Sequence, residues 1–93
     1  MNVGQAIKTI RQEYNITQIE LGERCKMSNT AVSMLERGKR VPPSATVEKV
    51  CHALRVPVAY LLLASIEEED FPESKRILYR TQLLPLCKEL LNA

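Results

Sequence analysis

The sequence of 93 residues has no tryptophan, one phenylalanine and one histidine. With so few aromatic side chains, aliphatic residues have to fill the core of any folded domain. The single histidine, His52, has no acid, base or metal partner nearby in the sequence, and no glycine-rich loop that could cradle a phosphate is present. The adjacent glutamates at 67–69 do not form a converging acid–base pair. We therefore expect no enzyme activity, no cofactor and no metal site.

Cysteines in paired spacing and long apolar runs are also missing. Cys25, Cys51 and Cys87 are odd in number and contain no Cys-x-x-Cys pair, which favours buried, reduced thiols over disulfides or zinc ligands. The N-terminus lacks the apolar stretch of a signal peptide. The longest apolar run, residues 56–64, is too short to cross a bilayer. These features predict a cytoplasmic protein that does not bind membranes.

Charge is small overall and unevenly placed. The net charge is +2, but residues 1–64 hold nine Lys/Arg against five Glu, while residues 65–93 hold four Lys/Arg against six Asp/Glu. A basic front part followed by an acidic junction suits a nucleic-acid surface, although ordinary charge scatter gives the same count. The length is enough for one domain with a single core.

Apolar residues recur at helical spacing over most of the chain. The spacing predicts helices over residues 3–14 and 18–25, a third that Ser28 caps and that reaches Arg37, a fourth that Ser44 caps, and a fifth over residues 58–64. The second helix begins with a capping box, Thr17-Gln18-Ile19-Glu20. Gly38 stands where a left-handed residue would end the third helix.

The C-terminal part is leucine-rich and follows an acidic run. Residues 66–73 contain Glu67-Glu68-Glu69-Asp70 and predict a solvated hinge, and residues 74–93 predict a helical segment. Pro85 lies inside the leucine pattern and lacks the N–H that a continuous helix needs. We expect a kink at Pro85, or two short helices.

The third predicted helix has an exposed face of unusual composition. With 100° between successive residues, Val32 and Leu35 lie on one side, and the other side holds Asn29, Thr30, Ser33, Met34 and Arg37. Asn, Ser and Thr can bond base edges, and Met can contact a thymine methyl group. A solvated helix face more often carries Lys and Glu, which favour the helix. The composition indicates DNA contact, with a plain solvated face as the alternative.

Several spacings in this chain combine into one pattern. The positions are Ile7, Ile10, Arg11, then Thr17-Gln18-x-Glu20-Leu21, then Ser28-x-x-x-Val32-x-x-Leu35-Glu36-x-Gly38, a proline at 42 or 43, and Leu54-x-Val56-x-x-x-Tyr60-Leu61-Leu62. With them, residues 3–63 resemble the phage-repressor and Cro type of helix-turn-helix domain, the XRE family. The resemblance implies an all-α fold, a five-helix lambda-repressor-like DNA-binding domain, here with an additional C-terminal helical segment. Residues 1–65 would form that domain.

The resemblance also implies which side chains contact double-stranded DNA. With the third helix in the major groove, the base contacts come from Ser28, Asn29, Thr30, Ser33 and Met34. The phosphate contacts come from Arg11, Gln18, Arg37 and Lys39, and Arg40 in the following loop joins them. Arg11 has two alternatives, since it either pairs with Glu36 across the helices or reaches a phosphate that Glu36 helps to orient.

Three positions depart from the family pattern. Lys26 and Arg55 stand where turn glycines are common, so left-handed backbone is expected at the inter-helix turn. Gly22 replaces the usual alanine, which keeps the helix crossing close but weakens the helix by up to ~1 kcal/mol.

A dimer is expected because one helix-turn-helix unit reads too few base pairs to be selective. The candidate interface residues come from the fifth helix and the C-terminal segment, namely Tyr60, Leu62, Leu63, Leu83 and Leu84. Alternatively, the C-terminal leucines fold back over the fifth helix of the same chain. The function this predicts is a dimeric repressor or controller that reads an inverted-repeat operator. The second hypothesis is a protein-interaction module, of antitoxin or anti-repressor type, that binds a protein partner through residues 74–93.

Overall fold

The computed structural model describes residues 1–38 and 40–92, and these residues form helices and no strand. The first five helices are α1 (Val3–Glu13), α2 (Gln18–Cys25), α3 (Asn29–Arg37), α4 (Ser44–Leu54) and α5 (Val58–Ser65). Two 3-10 turns follow, Glu68–Asp70 and Glu73–Lys75. The chain then continues as α6 (Arg76–Leu78), a π-helical turn (Tyr79–Leu83) and α7 (Leu84–Leu91).

The expected fold, a five-helix domain with an added C-terminal helical segment, is confirmed. No helix in residues 1–38 and 40–92 is both long and apolar enough to span a membrane.

Local capping explains where α2 and α3 begin. The Thr17 hydroxyl accepts from the Glu20 backbone N–H at 3.0 Å, and the Glu20 carboxylate returns the contact to the Thr17 backbone, so the predicted capping box is present. The Ser28 hydroxyl accepts from the Ala31 N–H at 3.0 Å, as expected of the residue before a helix. Lys26 has a φ of 58°, the left-handed backbone predicted for the turn between the two helices.

Two predicted caps are wrong. Gly38 has φ −69° and ψ 141°, so α3 ends directly in extended backbone without a left-handed residue. Ser44 is the first residue of α4, and Pro43 occupies the capping position without a side-chain hydrogen bond. The Pro43 carbonyl instead accepts from the Thr46 and Val47 N–H groups at 2.9 and 3.0 Å. The paired prolines account for the second result, because they fix extended backbone up to the start of α4.

The core is aliphatic, as the shortage of aromatic residues predicts. The side chains with almost no exposure are Val3, Ile7, Ile10, Leu21, Cys25, Val32, Val50, Cys51, Leu54 and Leu61. All three cysteines are buried and unpaired. Burial raises the pKa of the Cys25 and Cys51 thiols, so both stay protonated and behave as small apolar residues.

The tail helix, defined here as residues 76–91, packs back on α5 of the same chain. Tyr79 is buried, and its ring stacks on Phe71 with 4.9 Å between ring centroids. Cys87 is buried farther along the same face. The Tyr60 hydroxyl donates to the Leu91 carbonyl at 3.3 Å. Of the two alternatives for the C-terminal leucines, folding back within one chain therefore describes the inner face of the tail helix.

Pro85 is accommodated by a change in helix type. The π-helical turn lies immediately before α7, and Pro85 is the second residue of α7. Leu83 and Leu84 keep helical backbone angles, so the chain passes from one helix type to the next without a loop. A wide turn at this place absorbs the missing N–H of the proline.

The acidic segment before the tail helix is held by contacts on both sides. The Asp70 carboxylate accepts from the Glu67 backbone N–H at 2.8 Å and so caps its own 3-10 turn. Arg80 of the tail helix pairs with Glu68. The predicted hinge, residues 66–73, thus contains a short structured turn that connects α5 to the tail helix.

Candidate nucleic-acid interface

The face of α3 that points away from the core carries the side chains predicted to contact bases. Asn29, Thr30 and Met34 are exposed, Met34 to 62%, and Ser33 is half-buried. Ser28 is exposed and its hydroxyl is engaged in capping α3. The structure therefore brings all five residues to the solvent-facing side of one helix.

A glycine lets α3 lie close to α2. A Cβ at Gly22 would be 2.5 Å from the Met27 carbonyl oxygen and 3.5 Å from a Val32 methyl group. The Met27 N–H donates to the Gly22 carbonyl at 2.8 Å, which closes the turn. The turn geometry thus needs glycine at this position, where the family usually has alanine.

A second glycine allows the end of α3 to pack closely against the beginning of α1. A Cβ at Gly4 would lie 2.5 Å from the carbonyl oxygen of Leu35 and 2.8 Å from those of Glu36 and Gly38. These three atoms are backbone and cannot move aside independently. The sequence alone does not identify this position, because nothing in the apolar pattern of α1 distinguishes a glycine that faces another helix.

Buried charges connect α3 to α1. The Arg11 Nε donates to Glu36 Oε2 at 2.6 Å, and the Arg11 Nη2 donates to Glu36 Oε1 at 3.0 Å. The remaining terminal nitrogen, Nη1, donates to the Ile16 carbonyl at 2.8 Å. The side chains of Arg11 and Glu36 are only 9% and 1% exposed. Arg11 therefore forms the ion pair with Glu36 that was one of its two alternatives, and its phosphate contact stays a prediction.

Gln18 joins this network at the start of α2. Its Nε2 donates to Glu36 Oε1 at 3.0 Å, so the Glu36 carboxylate accepts from two side chains. The contact orients the Gln18 amide and leaves its second N–H and its carbonyl oxygen for other partners. Gln18 is also the first residue of α2, where backbone N–H groups are free to bind an anion.

The other predicted phosphate contacts lie around the end of α3. Arg37 is exposed at its last turn, and Arg40 is exposed in the loop that follows. Lys39 lies outside the described residues. Arg37 and Gln18 line one cleft with Ser33 of the face predicted to contact bases, while Arg11 is buried.

The residues predicted for a dimer interface are only partly accessible. Tyr60, Leu62, Leu63, Leu83 and Leu84 are all half-buried in the single chain. More strongly exposed apolar side chains lie on the outer side of the tail helix, namely Ile77, Leu78, Leu86 and Leu90. Sequence reasoning could have separated the two sets only by knowing which side of the tail helix packs on α5.

The arrangement of five helices, with α2 and α3 joined by a tight left-handed turn, defines a helix-turn-helix domain. The sequence model of the Helix-turn-helix family matches residues 7–61, and the chain belongs to this family. The resemblance to phage repressors seen in the sequence is confirmed by relatives that carry such names.

Among these relatives, the immunity repressor protein of Bacillus phage phi105 is 33% identical over 82 residues, covering 88% of this chain and 54% of that protein. The HTH-type transcriptional repressor RghR of Bacillus subtilis is 32% identical over 91 residues, covering 97% of this chain and 64% of that protein. The chain thus spans between half and two thirds of the length of these relatives.

Solved structures with the same fold include the clp gene regulator ClgR from Corynebacterium glutamicum. One ClgR structure is 35% identical with a TM-score of 0.65, covering 68% of this chain and 82% of that chain. A second is 29% identical with a TM-score of 0.65, covering 96% of this chain and 86% of that chain.

Proposed function

We propose that this protein is a transcriptional regulator that binds a specific double-stranded DNA sequence, with α3 in the major groove. The observation that carries the proposal is the composition of α3 and the way in which α3 packs against α1. Its one acidic residue, Glu36, is buried in the contact with Arg11, while its exposed face is small, polar and free of acids. That face can approach the negatively charged duplex without repulsion.

Base readout follows from the chemistry of the exposed side chains. Asn29 can bond the N6 and N7 positions of adenine in a bidentate manner, and Ser33 and Thr30 can donate to or accept from either kind of base pair. Met34 offers an apolar contact to a thymine methyl group. We therefore expect an adenine opposite Asn29 in each half-site.

Repression is the mode of action that the relatives favour. The phage phi105 and RghR proteins are both named as repressors. A chain that binds operator DNA blocks access to it by occupancy, which needs no catalytic group. Such a regulator acts on DNA in the cytoplasm, where the buried, reduced cysteines of this chain are stable.

The proposed regulator binds as a homodimer, because two half-sites about one helical turn apart, ~34 Å, require two copies of α3. The outer side of the tail helix supplies a surface for the second copy, since Ile77, Leu86 and Leu90 are 69%, 63% and 57% exposed. We expect five half-buried residues of α5 and the tail helix to complete the interface, namely Tyr60, Leu62, Leu63, Leu83 and Leu84.

Substitution of Leu86 and Leu90 by serine tests the dimer without removing the helix that covers α5. We expect the double variant to keep its helical circular dichroism and to dimerise at least tenfold more weakly in sedimentation velocity. Ile19→Ser, at an apolar side chain that is 59% exposed on α2, is the matched control. A double variant that dimerises as tightly as the control would show that the second copy binds elsewhere.

Selection of bound duplexes from a randomised pool tests the function itself. We expect an enriched inverted repeat at near-physiological salt. On the enriched duplex, roughly six to eight phosphate contacts in a dimer should give a log–log slope of affinity against salt of about −5 to −7. Folded protein that enriches no sequence would contradict the proposal.

A second candidate function is a protein-interaction module of the antitoxin or anti-repressor type. The apolar outer side of the tail helix favours it, because such a surface also suits a different protein. Binding through leucines would depend little on salt, so the salt dependence of complex formation separates the two functions.

A further inference from the structure

A polar cleft lies between three helices, on the side of the molecule that carries the face of α3 predicted to contact bases. It has a volume of about 360 Å³, and its lining includes Lys8 of α1, Gln18 of α2, and Ser33, Glu36 and Arg37 of α3. Ser33 belongs to the face predicted to read bases. An anion in this cleft would therefore lie directly beside whatever α3 contacts.

The charges of the cleft favour an anion. Glu36 at its floor already accepts from Arg11 and Gln18, so its negative charge is compensated. Lys8 and Arg37 are exposed, and within residues 1–38 and 40–92 neither takes part in an ion pair. The cleft therefore has two cations at its border, Lys8 and Arg37, and the charge of its buried acid, Glu36, is compensated by Arg11.

The position of Gln18 adds hydrogen-bond donors to these charges. Glu36 fixes the Gln18 Nε2 by a bond of 3.0 Å, which leaves one N–H of the same group to donate into the cleft. The Thr17 hydroxyl satisfies the Glu20 N–H, and in the described part of the chain no hydrogen bond is formed by the N–H groups of Gln18 and Ile19. Free N–H groups at the first turn of a helix favour an anionic oxygen.

We infer that Lys8 binds a phosphate of the DNA backbone in this cleft, together with the amide of Gln18 and the guanidinium of Arg37. Lys8 provides an exposed cation from α1, whereas the Arg11 guanidinium is buried and is bonded to Glu36 and to the Ile16 carbonyl. Glu36 acts as a positioning residue that holds the Gln18 amide with its nitrogen toward the cleft. The inference rests on the proposed DNA-binding function and adds a residue to it.

The test compares Lys8→Gln with Lys88→Gln on the duplex that the wild-type protein enriches. Both variants lose one exposed positive charge, and Lys88 lies on α7, where it lines the groove between α1 and the end of the tail helix and does not line the cleft. A lost phosphate contact lowers the salt slope by about 1, so a dimer of Lys8→Gln should show a slope shallower by about 2, with affinity reduced alike for all sequences. Lys88→Gln should keep the wild-type slope.

Single methylphosphonate substitutions in the duplex locate the contact. One neutral linkage per half-site should weaken binding of the wild-type protein more than binding of Lys8→Gln, which retains only the Gln18 and Arg37 contacts to that phosphate. If Lys8→Gln binds with the same affinity and slope as Lys88→Gln, the inference is overturned while the DNA-binding function stands. If the folded wild-type protein enriches no duplex at all, the proposed function fails first and the inference falls with it.

Discussion

The helix-turn-helix half of the molecule, defined here as α1 to α3, and the tail helix are held in place by different kinds of contact. Behind α3, the side chains of Arg11 and Glu36 are 9% and 1% exposed and form a paired, hydrogen-bonded contact. In the tail, the corresponding pair of Arg80 and Glu68 is 59% and 33% exposed. The tail helix relies instead on apolar contacts along one side, with Tyr79 and Cys87 buried and its other side uncovered.

The difference shows where this chain needs a fixed geometry. Buried, directional bonds fix the angle between α3 and α1, and a small change in that angle would misplace the base contacts proposed for α3. Apolar contacts are not directional, which suits the surface proposed to bind a second copy. Each substitution below tests one side of this comparison, from the largest expected effect on folding to the smallest.

Arg11→Ala should be the most damaging of these changes. It leaves the Glu36 carboxylate buried without its cation, which costs about 3–5 kcal/mol of unfolding free energy. Arg80→Ala removes an exposed pair and should cost under ~1 kcal/mol. Urea unfolding followed by circular dichroism measures both. Equal losses in the two variants would contradict the contrast between the two regions.

Gly4→Ala should destabilise the protein by about 1–3 kcal/mol, because the added methyl group meets three backbone oxygens at the end of α3. This cost exceeds the gain of up to ~1 kcal/mol from replacing glycine within a helix. Gly38→Ala is the matched control, since Gly38 has a φ of −69° and its nearest neighbour atom would lie at 3.4 Å. The control should be neutral or more stable by about 0.4–1 kcal/mol. Thermal unfolding of the two variants in parallel measures the sign of each change. A Gly4→Ala protein as stable as the control would contradict the close packing of the end of α3 against Gly4.

After Arg11→Ala and Gly4→Ala, Tyr60→Phe should have a smaller effect, about 0.5–1.5 kcal/mol, because it removes one hydrogen bond to the Leu91 carbonyl. The loss should be local, with faster amide hydrogen exchange near the end of the tail helix and unchanged exchange in α1. Tyr79→Phe is the comparison, since its hydroxyl lies 3.5 Å from the Ile66 carbonyl and forms a weaker bond. Faster exchange throughout the chain would mean that the tail helix and the helix-turn-helix half unfold as one unit.

The helices were predictable from the sequence because their start signals are local. Thr17 and Ser28 cap the residues that follow them within one turn, and the apolar spacing identifies the buried side of each helix. The failure at Ser44 also has a local cause, since Pro42 and Pro43 impose extended backbone up to the start of α4. This signal outweighs the preference of serine for the capping position.

The parts of the site that could not be predicted depend on contacts between distant residues. The contact of Gln18 with Glu36 spans 18 positions, and the approach of Gly4 to Leu35 spans 31. Lys8 stands on the polar side of α1 and has no pattern that separates it from a solvated lysine. Only the packing of α1 on α3 brings it to the cleft that Gln18 and Arg37 also border.

Substitution of Asn29 by alanine tests whether the exposed face of α3 contacts bases. The variant and the wild-type protein would each select duplexes from the same randomised pool, with Gln12→Ala, an exposed polar position on α1, as the control. The variant should relax the preference at one base pair in each half-site, with a loss of about 1–3 kcal/mol on the wild-type sequence. The control should select the wild-type sequence unchanged. An Asn29→Ala protein that still selects the full wild-type sequence with unaltered affinity would show that α3 does not read DNA in this way.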